Sequence, residues 1–390
     1  MWIHIFYSSI IISLASYLLF SAYIKVNYPF WSRLYIYHTY NIIYLFYKQG
    51  IITSDPTKQE KWTNLNNIKF IEYENCMKSE KELIFNFIYL NQSTIKNAIY
   101  KPNKENMFTQ YTANKGCSVL LYFEKNYRLE KIGNTNPLNG ILISRPLDIK
   151  IHDRRITTNF LDNILIKKNI GKNTIKEELI STYIHYKSKT NKGLTCLFKV
   201  DGELTIPVKT LLSYTMFLYD ITKWSNCIRL PSMYQTTLIT SKNIYTIKDI
   251  ITQTLILNYS CCIIPTWSNI NELISKKKIY LYTVSLRDTI IAIYIYKDTD
   301  NFEYKGKTLE CISSIMLSNN PDIFIIGFND TLSSISKTYS NILIHNISDT
   351  TIILDIIKKK HTAKYSINTN LFLYNYIHKH VENKSCITIF

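Results

Sequence analysis

The clearest pattern of apolar and polar positions predicts two adjacent strands followed by a helix in the first half of the chain. Residues 139–147 and 159–166 are apolar runs rich in Ile and Leu, as expected for strands. A basic turn over residues 167–173 follows, and Thr174 with Glu177 three positions later forms the capping-box pattern of a helix start. The apolar residues after this start share one helix face: Ile175, Leu179, Ile180 and Tyr183.

The first half otherwise reads as a β meander. A β-rich run at 117–123 and a turn at 133–137 lead directly into the first of these two strands, so we expect consecutive antiparallel neighbours. A further strand is predicted at 194–200, where the dipeptide Asp201-Gly202 signals a tight turn.

The second half repeats the same kinds of element, with a turn at Arg287-Asp288 between two alternating apolar runs. The predicted elements are helices at 247–257 and 267–274, a strand pair at 279–286 and 290–296, and short strands at 322–326 and 371–376. Strands and helices are grouped rather than strictly alternating. The fold class is therefore predicted as α+β.

The amino-terminal segment predicts a membrane anchor. No Asp, Glu, Lys or Arg occurs between Trp2 and Ile24, which is long enough for a helix to cross a bilayer. The start lacks the basic residues and the small-residue cleavage site of a signal peptide, so we expect an uncleaved anchor that ends near Val26. Lys25 and Arg33 follow the segment, which places the body on the cytoplasmic side. A core helix or a signal peptide is the alternative.

These observations divide the chain into four parts. The predicted division is an anchor at 1–26, an aromatic segment and linker at 27–67, a first globular domain at 68–235 and a second at 236–390. A chain of 390 residues with 46% hydrophobic and 14% aromatic residues can bury two cores of ordinary size, which excludes a disordered protein.

Charge and cysteine content narrow the functional classes. The formal net charge of +17 admits nucleic acid, an anionic membrane surface or phosphorylated ligands as partners. The basic clusters 276–278 and 358–360 are short and far apart, and no RNA-binding or zinc-finger pattern accompanies them, so nucleic acid is not expected. The eight cysteines form no C-x-x-C pair and none lies at metal-ligand spacing with His, so we expect reduced thiols and no metal site.

Several strings, in order along the chain, resemble those of the N-myristoyltransferases, which consist of two GNAT (acetyltransferase-like) domains in tandem. They are Tyr-Pro-Phe-Trp-Ser at 28–32, the strand 140–147, Ile-Leu-Ile-Lys-Lys at 164–168 with the helix after it, and the strings at 322–329 and 373–376. The resemblance covers roughly residues 28–390. The strings at 144–147 and 202–205 are also similar to GNAT-like proteins of large DNA viruses, which implies a host-cell or virion membrane for the anchor.

The resemblance implies acyl-CoA, either myristoyl-CoA or acetyl-CoA, as the co-substrate. Its pyrophosphate is expected at the amino terminus of the helix after the 159–166 strand, where unpaired amides and the helix dipole favour an anion. The cofactor-binding residues implied are Lys167, Lys168, Gly171, Lys172, Asn173 and Thr174. The family pattern is only partly kept, because Gly171 stands where Arg is expected and Lys176-Glu177 where Ala-Pro is expected.

The resemblance also implies the catalytic groups. Aligning Lys167-Lys168 with the family assigns the two oxyanion-hole amides to Asn163 and Ile164. The string Asn-Phe-Leu at 159–161 offers an alternative register three to four residues earlier. The general base implied is the terminal carboxylate, which here belongs to Phe390.

The function implied is a membrane-anchored acyltransferase that moves an acyl group from acyl-CoA to a peptide amine. Myristoyl transfer to an N-terminal glycine follows from the resemblance, and acetyl transfer is the nearest alternative. A catalytically degenerate GNAT-fold binding module on a membrane is a second hypothesis, and it is favoured by the incomplete pattern at 171–177. A basic membrane or nucleic-acid adaptor is a third, and only the charge supports it.

Overall fold

The computed structural model describes residues 2–92, 98–104, 106–124, 137–168, 170, 172–222, 224, 230–304 and 306–390. The helices are α1 (Trp2–Asn27), α2 (Lys78–Asn91), α3 (Thr109–Thr112), α4 (Lys172–Thr190), α5 (Ile244–Asn258), α6 (Trp267–Ser275), α7 (Pro321–Ile335) and α8 (Thr350–Lys360). The strands are β1 (Gly50–Ile51), β2 (Ile68–Glu72), β3 (Ile99–Tyr100), β4 (Ser118–Phe123), β5 (Leu138–Ile151), β6 (Arg154–Ile166), β7 (Cys196–Asp201), β8 (Leu212–Asp220), β9 (Tyr234–Ile239), β10 (Cys261–Ile264), β11 (Ile279–Leu286), β12 (Thr289–Glu303), β13 (Gly306–Met316), β14 (Asn341–His345), β15 (Tyr365–Tyr374), β16 (Tyr376–Ile377) and β17 (Cys386–Thr388).

Most of the strands join one 15-stranded sheet. Its order is β17-β10-β5-β6-β7-β15-β8-β14-β13-β12-β11-β9, with β2 and β4 added beside β5 and with β3 beside β12. β5 is long enough to have two neighbours on one edge, because residues 138–144 pair with β4 and residues 148–151 pair with β10. β1 and β16 form a separate pair.

The two halves of the chain exchange strands at the centre of this sheet. β8 follows β7 in sequence but pairs with β14 of the second half. β15, near the end of the chain, lies between β7 and β8 and pairs with both. The exchange places side chains from both halves on the same stretch of sheet, which is where the candidate site lies.

Helices cover the sheet on both faces. Successive strand residues point to opposite faces, so Leu120 and Leu142 pack beneath α4 while Val119 and Ile143 pack beneath α2 and α3. The predicted apolar face of α4 is buried, and Tyr183 lies at its centre. In the second half, α7 and α8 cover one face and α5 and α6 the other.

Most of the predicted elements are present, and the α+β class is confirmed. The antiparallel run β4-β5-β6 matches the expected meander, although residues 133–136 of its predicted turn lie outside the described part of the chain. The strand pair β11-β12 turns at Arg287 and Asp288, whose φ angles are 46° and 66°. Left-handed conformations at both central residues are typical of a tight hairpin whose twist matches its strands.

The predicted strand at 322–326 is wrong, because these residues lie in α7. Pro321 occupies the first helical turn, and the Asn320 side chain accepts a hydrogen bond from the Ile323 amide at 3.1 Å, as an N-cap does. A five-residue apolar run does not distinguish a strand from a helix. The deciding pattern lies further on, where Phe324, Phe328 and Leu332 recur every four residues on a buried face.

Two other boundaries differ from the predicted ones. α4 begins at Lys172, so Thr174 lies in the first turn rather than at the cap position. The predicted strand 371–376 is interrupted at Asn375, whose φ of 60° breaks the extended backbone between β15 and β16.

The segment 27–67 packs onto the first half. The buried rings of Phe30 and Trp62 meet edge to face with centroids 5.4 Å apart. Further along, the Thr57 amide donates to the Ser188 hydroxyl of α4, and the Asn64 side chain donates to Glu178 of the same helix at 2.7 Å. These contacts hold the segment against α4 along its length.

α1 is the one helix in the described ranges that is long and apolar enough to cross a membrane. Its 26 residues end at Asn27, one residue beyond the predicted end near Val26. Most of its large apolar side chains are exposed. A membrane anchor and a signal sequence both have this apolar surface.

Candidate active site

The sheet opens between β6 and β7. These parallel strands pair only at Asn159 with Cys196 and at Phe160 with Leu197. From Leu161 onward, β6 keeps β5 on one side but has no strand partner among the described residues on the other. Backbone groups along this open edge need other partners. The opening can therefore receive an extended ligand alongside β6.

A β-bulge marks the point where the edge opens. Ile143 pairs with Asn163 and Ser144 pairs with Leu161, so Asp162 is an extra residue in β6. A bulge bends its strand and re-aims the following side chains, and bulges are frequent beside active sites. The two predicted oxyanion-hole residues, Asn163 and Ile164, come directly after it.

The alternative register for the oxyanion amides, at 159–161, falls where β6 is still paired. The Asn159 amide donates to the carbonyl oxygen of Thr195 at 3.0 Å. An amide that is already bonded within the sheet cannot also stabilise an oxyanion. This bond excludes the Asn159 amide, whereas Leu161 lies where the open edge begins, so both registers remain predictions.

Apolar side chains border the opening on the face covered by α4. Each is half-buried and packs against the buried cluster beneath that helix: Trp31, Ile164, Ile166, Ile170, Val200, Leu204 and Ile206. We call this set the apolar lining. Behind it, the rings of Phe198 and Phe372 stack with centroids 5.0 Å apart, and Trp31 meets both edge to face. This surface suits a hydrocarbon chain.

A polar cavity lies on the opposite face of the same opening. Its volume is about 520 Å³, which is in the range of small-ligand sites. Asn163, Phe160 and Lys199 line it from the first half of the chain, and Lys297 and Glu310 line it from the second. Because neighbouring strand residues point to opposite faces, the Asn163 side chain lines the cavity while the Ile164 side chain belongs to the apolar lining. The open edge thus lies between an apolar surface and a polar cavity.

A buried hydrogen-bond network holds the bulge in place. Arg145, only 1% exposed, places its Nε 3.1 Å from Asp162 Oδ2. The Tyr111 phenol donates to the same carboxylate oxygen at 3.0 Å and accepts a hydrogen bond from the side-chain amide of Asn163 at 2.8 Å. The side-chain amide of Gln110 donates to both Tyr111 and Asp162, at 2.7 Å in each case. Burial raises the pKa of Tyr111 well above its ordinary value, so the phenol stays protonated and able to donate.

A second charged group comes from the other half of the chain. The His345 Nε2 lies 2.7 Å from Glu310 Oε1. Burial opposes ionisation of Glu310, but the nearby charges of His345, Lys297 and Lys199 outweigh it and hold the pKa of that carboxyl well below its ordinary value. Burial lowers the pKa of Lys297, which makes no ion pair within 4 Å in the described structure. The other basic side chains at the cavity, Arg145, Lys199 and Lys278, each have a carboxylate within 4 Å, so the Lys297 amine is the least compensated positive charge there.

The cavity is acidic within a basic protein. Ten acidic and basic side chains, histidine apart, line it. The acidic ones are Asp162, Asp201, Asp298, Asp300, Glu303 and Glu310, and the basic ones are Arg145, Lys199, Lys278 and Lys297. Six acids against four bases contrast with the net charge of +17 of the whole chain. Such a lining attracts a cationic ligand such as a protonated amine.

The residues predicted to bind a cofactor lie at the turn from β6 into α4. The amides of Lys167 and Lys168 are occupied, since they donate to Asn139 O at 2.9 Å and Asn91 Oδ1 at 3.0 Å. Thr174 is exposed in the first turn of α4. Gly171 lies outside the described residues, and so do the side chains of Lys172 and Asn173.

Phe390 borders the same cavity as Asn163. β17 pairs in parallel with β10, and the Ile389 amide donates to the carbonyl oxygen of Ile263 at 2.9 Å, which leads the chain to this place. The Phe390 ring meets Phe160 of β6 edge to face with centroids 5.0 Å apart. Two of the three predicted catalytic residues therefore line one cavity.

No sequence motif identified the polar and charged residues around the cavity. Tyr111, Arg145, Lys297, Glu310 and His345 come from five separate elements, and no spacing along the chain relates them. The string at 144–147 contains the buried Arg145, but its resemblance to GNAT-like proteins does not indicate a role in the site. No group of three His, Cys, Asp or Glu side chains in the described structure is arranged to hold a metal.

Comparison with known proteins places this geometry in a known fold. No family model and no curated protein matches the sequence. Two crystal structures of Saccharomyces cerevisiae N-myristoyltransferase with bound myristoyl-CoA match at TM-scores of 0.66 and 0.69, each at 10% sequence identity. Each match covers 91% of this chain, and the matches cover 94% and 89% of the yeast chains. A third, with myristoyl-CoA and inhibitors, matches at 0.69 and 10% identity, covering 93% of this chain and 94% of its own. The chain therefore has the tandem GNAT fold of the N-myristoyltransferases.

Proposed function

We propose that this protein is a membrane-anchored N-acyltransferase that transfers a long acyl group from acyl-CoA to the N-terminal amine of a peptide or protein. The observation that carries the proposal is the opening of the sheet after the Asp162 bulge. It lies between an apolar surface on one face and an acidic, polar cavity on the other. A reaction between a lipid-like thioester and an amine needs an apolar and a polar surface to meet at one point.

The acyl-CoA substrate lies along the open edge of β6 in this proposal. Its acyl chain contacts the apolar lining, and its phosphates face the amino terminus of α4, where helix amides and the lysines at 167, 168 and 172 favour an anion. The amides of Asn163 and Ile164 stabilise the oxygen of the thioester carbonyl as negative charge develops on it. Support for this arrangement comes from the bulge, the unpaired edge and the shared fold.

The amine acceptor enters from the acidic cavity. It arrives as an ammonium ion and must lose a proton before its nitrogen attacks the thioester carbon. The carboxylate of Phe390 is the proposed proton acceptor, because this residue lines the same cavity as Asn163. The new C–N bond forms as the C–S bond breaks, and the CoA thiolate leaves and is protonated. This role requires that the mature chain ends at Phe390, which intact mass spectrometry measures.

The membrane part of the proposal rests on α1. The helix is long and apolar enough to span a bilayer, and Lys25 and Arg33 follow it, so the body faces the cytoplasm. An enzyme held in this way acts on acceptors near the same membrane.

A second candidate function is a membrane-tethered protein that binds acyl-CoA without turning it over. Two features at the α4 turn favour it. The amides of Lys167 and Lys168 are already bonded, and Lys176, where the family pattern has a small residue, is half-buried with a pKa lowered by desolvation. These features weaken the phosphate site but leave the apolar lining intact.

One set of measurements separates the candidates. Full-length protein in nanodiscs is titrated calorimetrically with myristoyl-CoA and acetyl-CoA, and thiol release is followed with a glycine-starting peptide. The same peptide with a blocked amine is the control. Binding of myristoyl-CoA with thiol release only from the free-amine peptide supports the enzyme. Binding without release supports the binding protein, and no binding to either thioester rules out both.

A further inference from the structure

The last turns of α1 lie against the body of the protein. Ile24 is only 5% exposed, whereas its neighbours Tyr23 and Val26 are 61% and 77% exposed. Tyr17 and Ser21 are partly buried as well, at four- and three-residue spacing on the same helix face. The described side chains before Tyr17 are exposed. Only the carboxyl-terminal part of α1 therefore contacts the body.

The surface that α1 contacts is the aromatic segment that follows it. Burial raises the pKa of Tyr40, and the phenols of Tyr44 and Tyr17 raise it further, which places Tyr17 of α1 near Tyr40. Within the segment, His38 packs against Tyr40 and Tyr44 with ring centroids 5.1 Å and 6.5 Å away. The segment and the end of α1 thus form one packed unit.

The same segment presents apolar side chains to the outside. A short 3₁₀ helix at Ile42–Leu45 is capped by Asn41, whose side chain accepts from the Ile43 amide at 3.1 Å. Ile42, Ile43, Phe46 and Tyr47 are exposed, and Phe46 is 83% exposed. We call these four residues the 42–47 patch. An ordered turn that points four large apolar side chains outward favours an apolar partner.

The length of α1 sets the position of this patch relative to a bilayer. A hydrocarbon core of about 30 Å takes roughly 20 helical residues at about 1.5 Å per residue. Counted from Trp2, that span reaches about Ser21, so Tyr17 lies roughly 6 Å inside the edge of the hydrocarbon. A body surface in contact with Tyr17 must then lie at the membrane interface.

We propose that the 42–47 patch inserts into the membrane interface beside α1 and so holds the mouth of the acyl site against the bilayer. The inference rests on the proposed anchor, since α1 determines the depth. Tyr and Trp side chains favour this interface, and the exposed Lys48 and Lys25 can meet lipid phosphates. The partner is therefore the lipid surface itself.

The aromatic segment that carries the patch is hydrogen-bonded to the chain just after the apolar lining. The Lys209 amide donates to the Tyr37 carbonyl at 2.7 Å, and the Thr39 amide donates to Pro207 O at 3.2 Å. Through these bonds the aromatic segment lies beside Leu204 and Ile206 of the lining. With the patch in the interface, the apolar lining lies close to the bilayer, which favours a long-chain acyl-CoA dissolved in the membrane as the substrate class.

Site-directed spin labelling tests the proposal on the full chain in nanodiscs. Labels are placed at three exposed apolar positions by Phe46→Cys, Ile11→Cys in α1 and Leu257→Cys in α5, the last as a control 80% exposed. The seven native cysteines that the structure describes are buried, and labelled wild-type protein measures the background. Collisions with oxygen report lipid, and collisions with a water-soluble nickel chelate report solvent.

We expect the label at 46 to be protected from the chelate several-fold more than the label at 257 and less than the label at 11. Equal chelate access at 46 and 257, with 11 protected, overturns the docking and leaves the anchor in place. Chelate access at 11 overturns both. Spin–spin broadening at 46 that persists in detergent assigns the patch to a second copy of the chain and overturns the proposal. Thiol release in detergent is measured separately, so failure of the acyltransferase activity is distinguishable.

Discussion

The side-chain amide of Asn163 donates to the phenol oxygen of Tyr111 at 2.8 Å, and this phenol donates to Asp162 at 3.0 Å. One buried tyrosine thus ties together the bulge residue and the residue after it, where the sheet opens. Because both bonds end on one oxygen atom, the position of the proposed oxyanion amides depends on Tyr111.

Tyr111→Phe therefore tests this positioning. The change removes one hydroxyl and leaves buried polar groups without a partner, which costs about 1–3 kcal/mol of folding free energy. We expect turnover to fall tenfold or more while the dissociation constant for myristoyl-CoA changes little, because the oxyanion forms only during the reaction. Tyr73→Phe is the matched control, since that buried ring contacts Tyr111 with centroids 5.7 Å apart. Equal effects of the two changes on turnover would contradict the positioning role.

The ion pair between Arg145 and Asp162 predicts a strong asymmetry between single and double substitutions. Asp162→Asn leaves the buried guanidinium without its charge partner, which destabilises the fold by about 3–5 kcal/mol. Asp162→Asn combined with Arg145→Met removes both charges, and we expect it to recover part of that loss. Urea unfolding in detergent measures both. A double variant less stable than Asp162→Asn would argue against a charge effect.

Glu310 predicts an acid-sensitive contribution to stability. Its pKa is lower in the folded than in the unfolded protein, so its contribution is fully present above the ordinary value near 4.5 and is lost as pH falls through the folded value. The stability difference between wild type and Glu310→Gln should therefore shrink as the pH falls below about 4.5. Glu203→Gln is the control, since that carboxylate is exposed and makes no ion pair among the described residues. A difference that stays constant with pH would exclude this linkage.

Lys297 predicts a destabilising contribution that is relieved at alkaline pH. Burial lowers its pKa below the ordinary value of 10.5, so between the folded and the ordinary value the unfolded chain binds more protons, and wild-type stability rises with pH. Lys297→Met lacks this rise and should be more stable than wild type at neutral pH. Unfolding from pH 7 to 10.5 measures the difference, and a less stable variant at neutral pH would show that the charge is compensated.

The apolar lining predicts a change in acyl-chain preference. Val200→Trp fills space beside Ile164 and should displace about four methylenes, which costs about 3 kcal/mol, or roughly a hundredfold in the dissociation constant for myristoyl-CoA. Acetyl-CoA affinity should be unchanged, because its short chain does not reach the lining. Leu257→Trp, at an exposed site away from the lining, is the control. Equal weakening of both thioesters would place the acyl chain elsewhere.

The role proposed for Phe390 predicts that an added carboxyl-terminal residue abolishes turnover. One extra glycine replaces the carboxylate at this position with an amide, which cannot accept the proton. Stability and myristoyl-CoA binding should be retained, because the Phe160–Phe390 ring contact remains. The Phe390→Leu variant, which keeps the carboxylate, is the control. Undiminished turnover of the extended protein would remove Phe390 from the mechanism.

What the sequence determined by itself is local. The apolar face of α4, the turn at Arg287 and Asp288 and the apolar length of α1 each depend on residues a few positions apart, and periodicity and turn chemistry predict such features. The error at 322–326 has the same origin, since a five-residue run is too short to show a period.

Only the tertiary structure decided where the site lies. The exchange of β8 and β15, the bulge at Asp162 and the cavity shared by Asn163 and Phe390 depend on pairing between residues far apart in the chain. Long-range pairing is set by the summed burial of many side chains, and no single string records it. The sequence thus predicted the kind of fold, whereas packing between the two halves decided which charged residues meet at the opening.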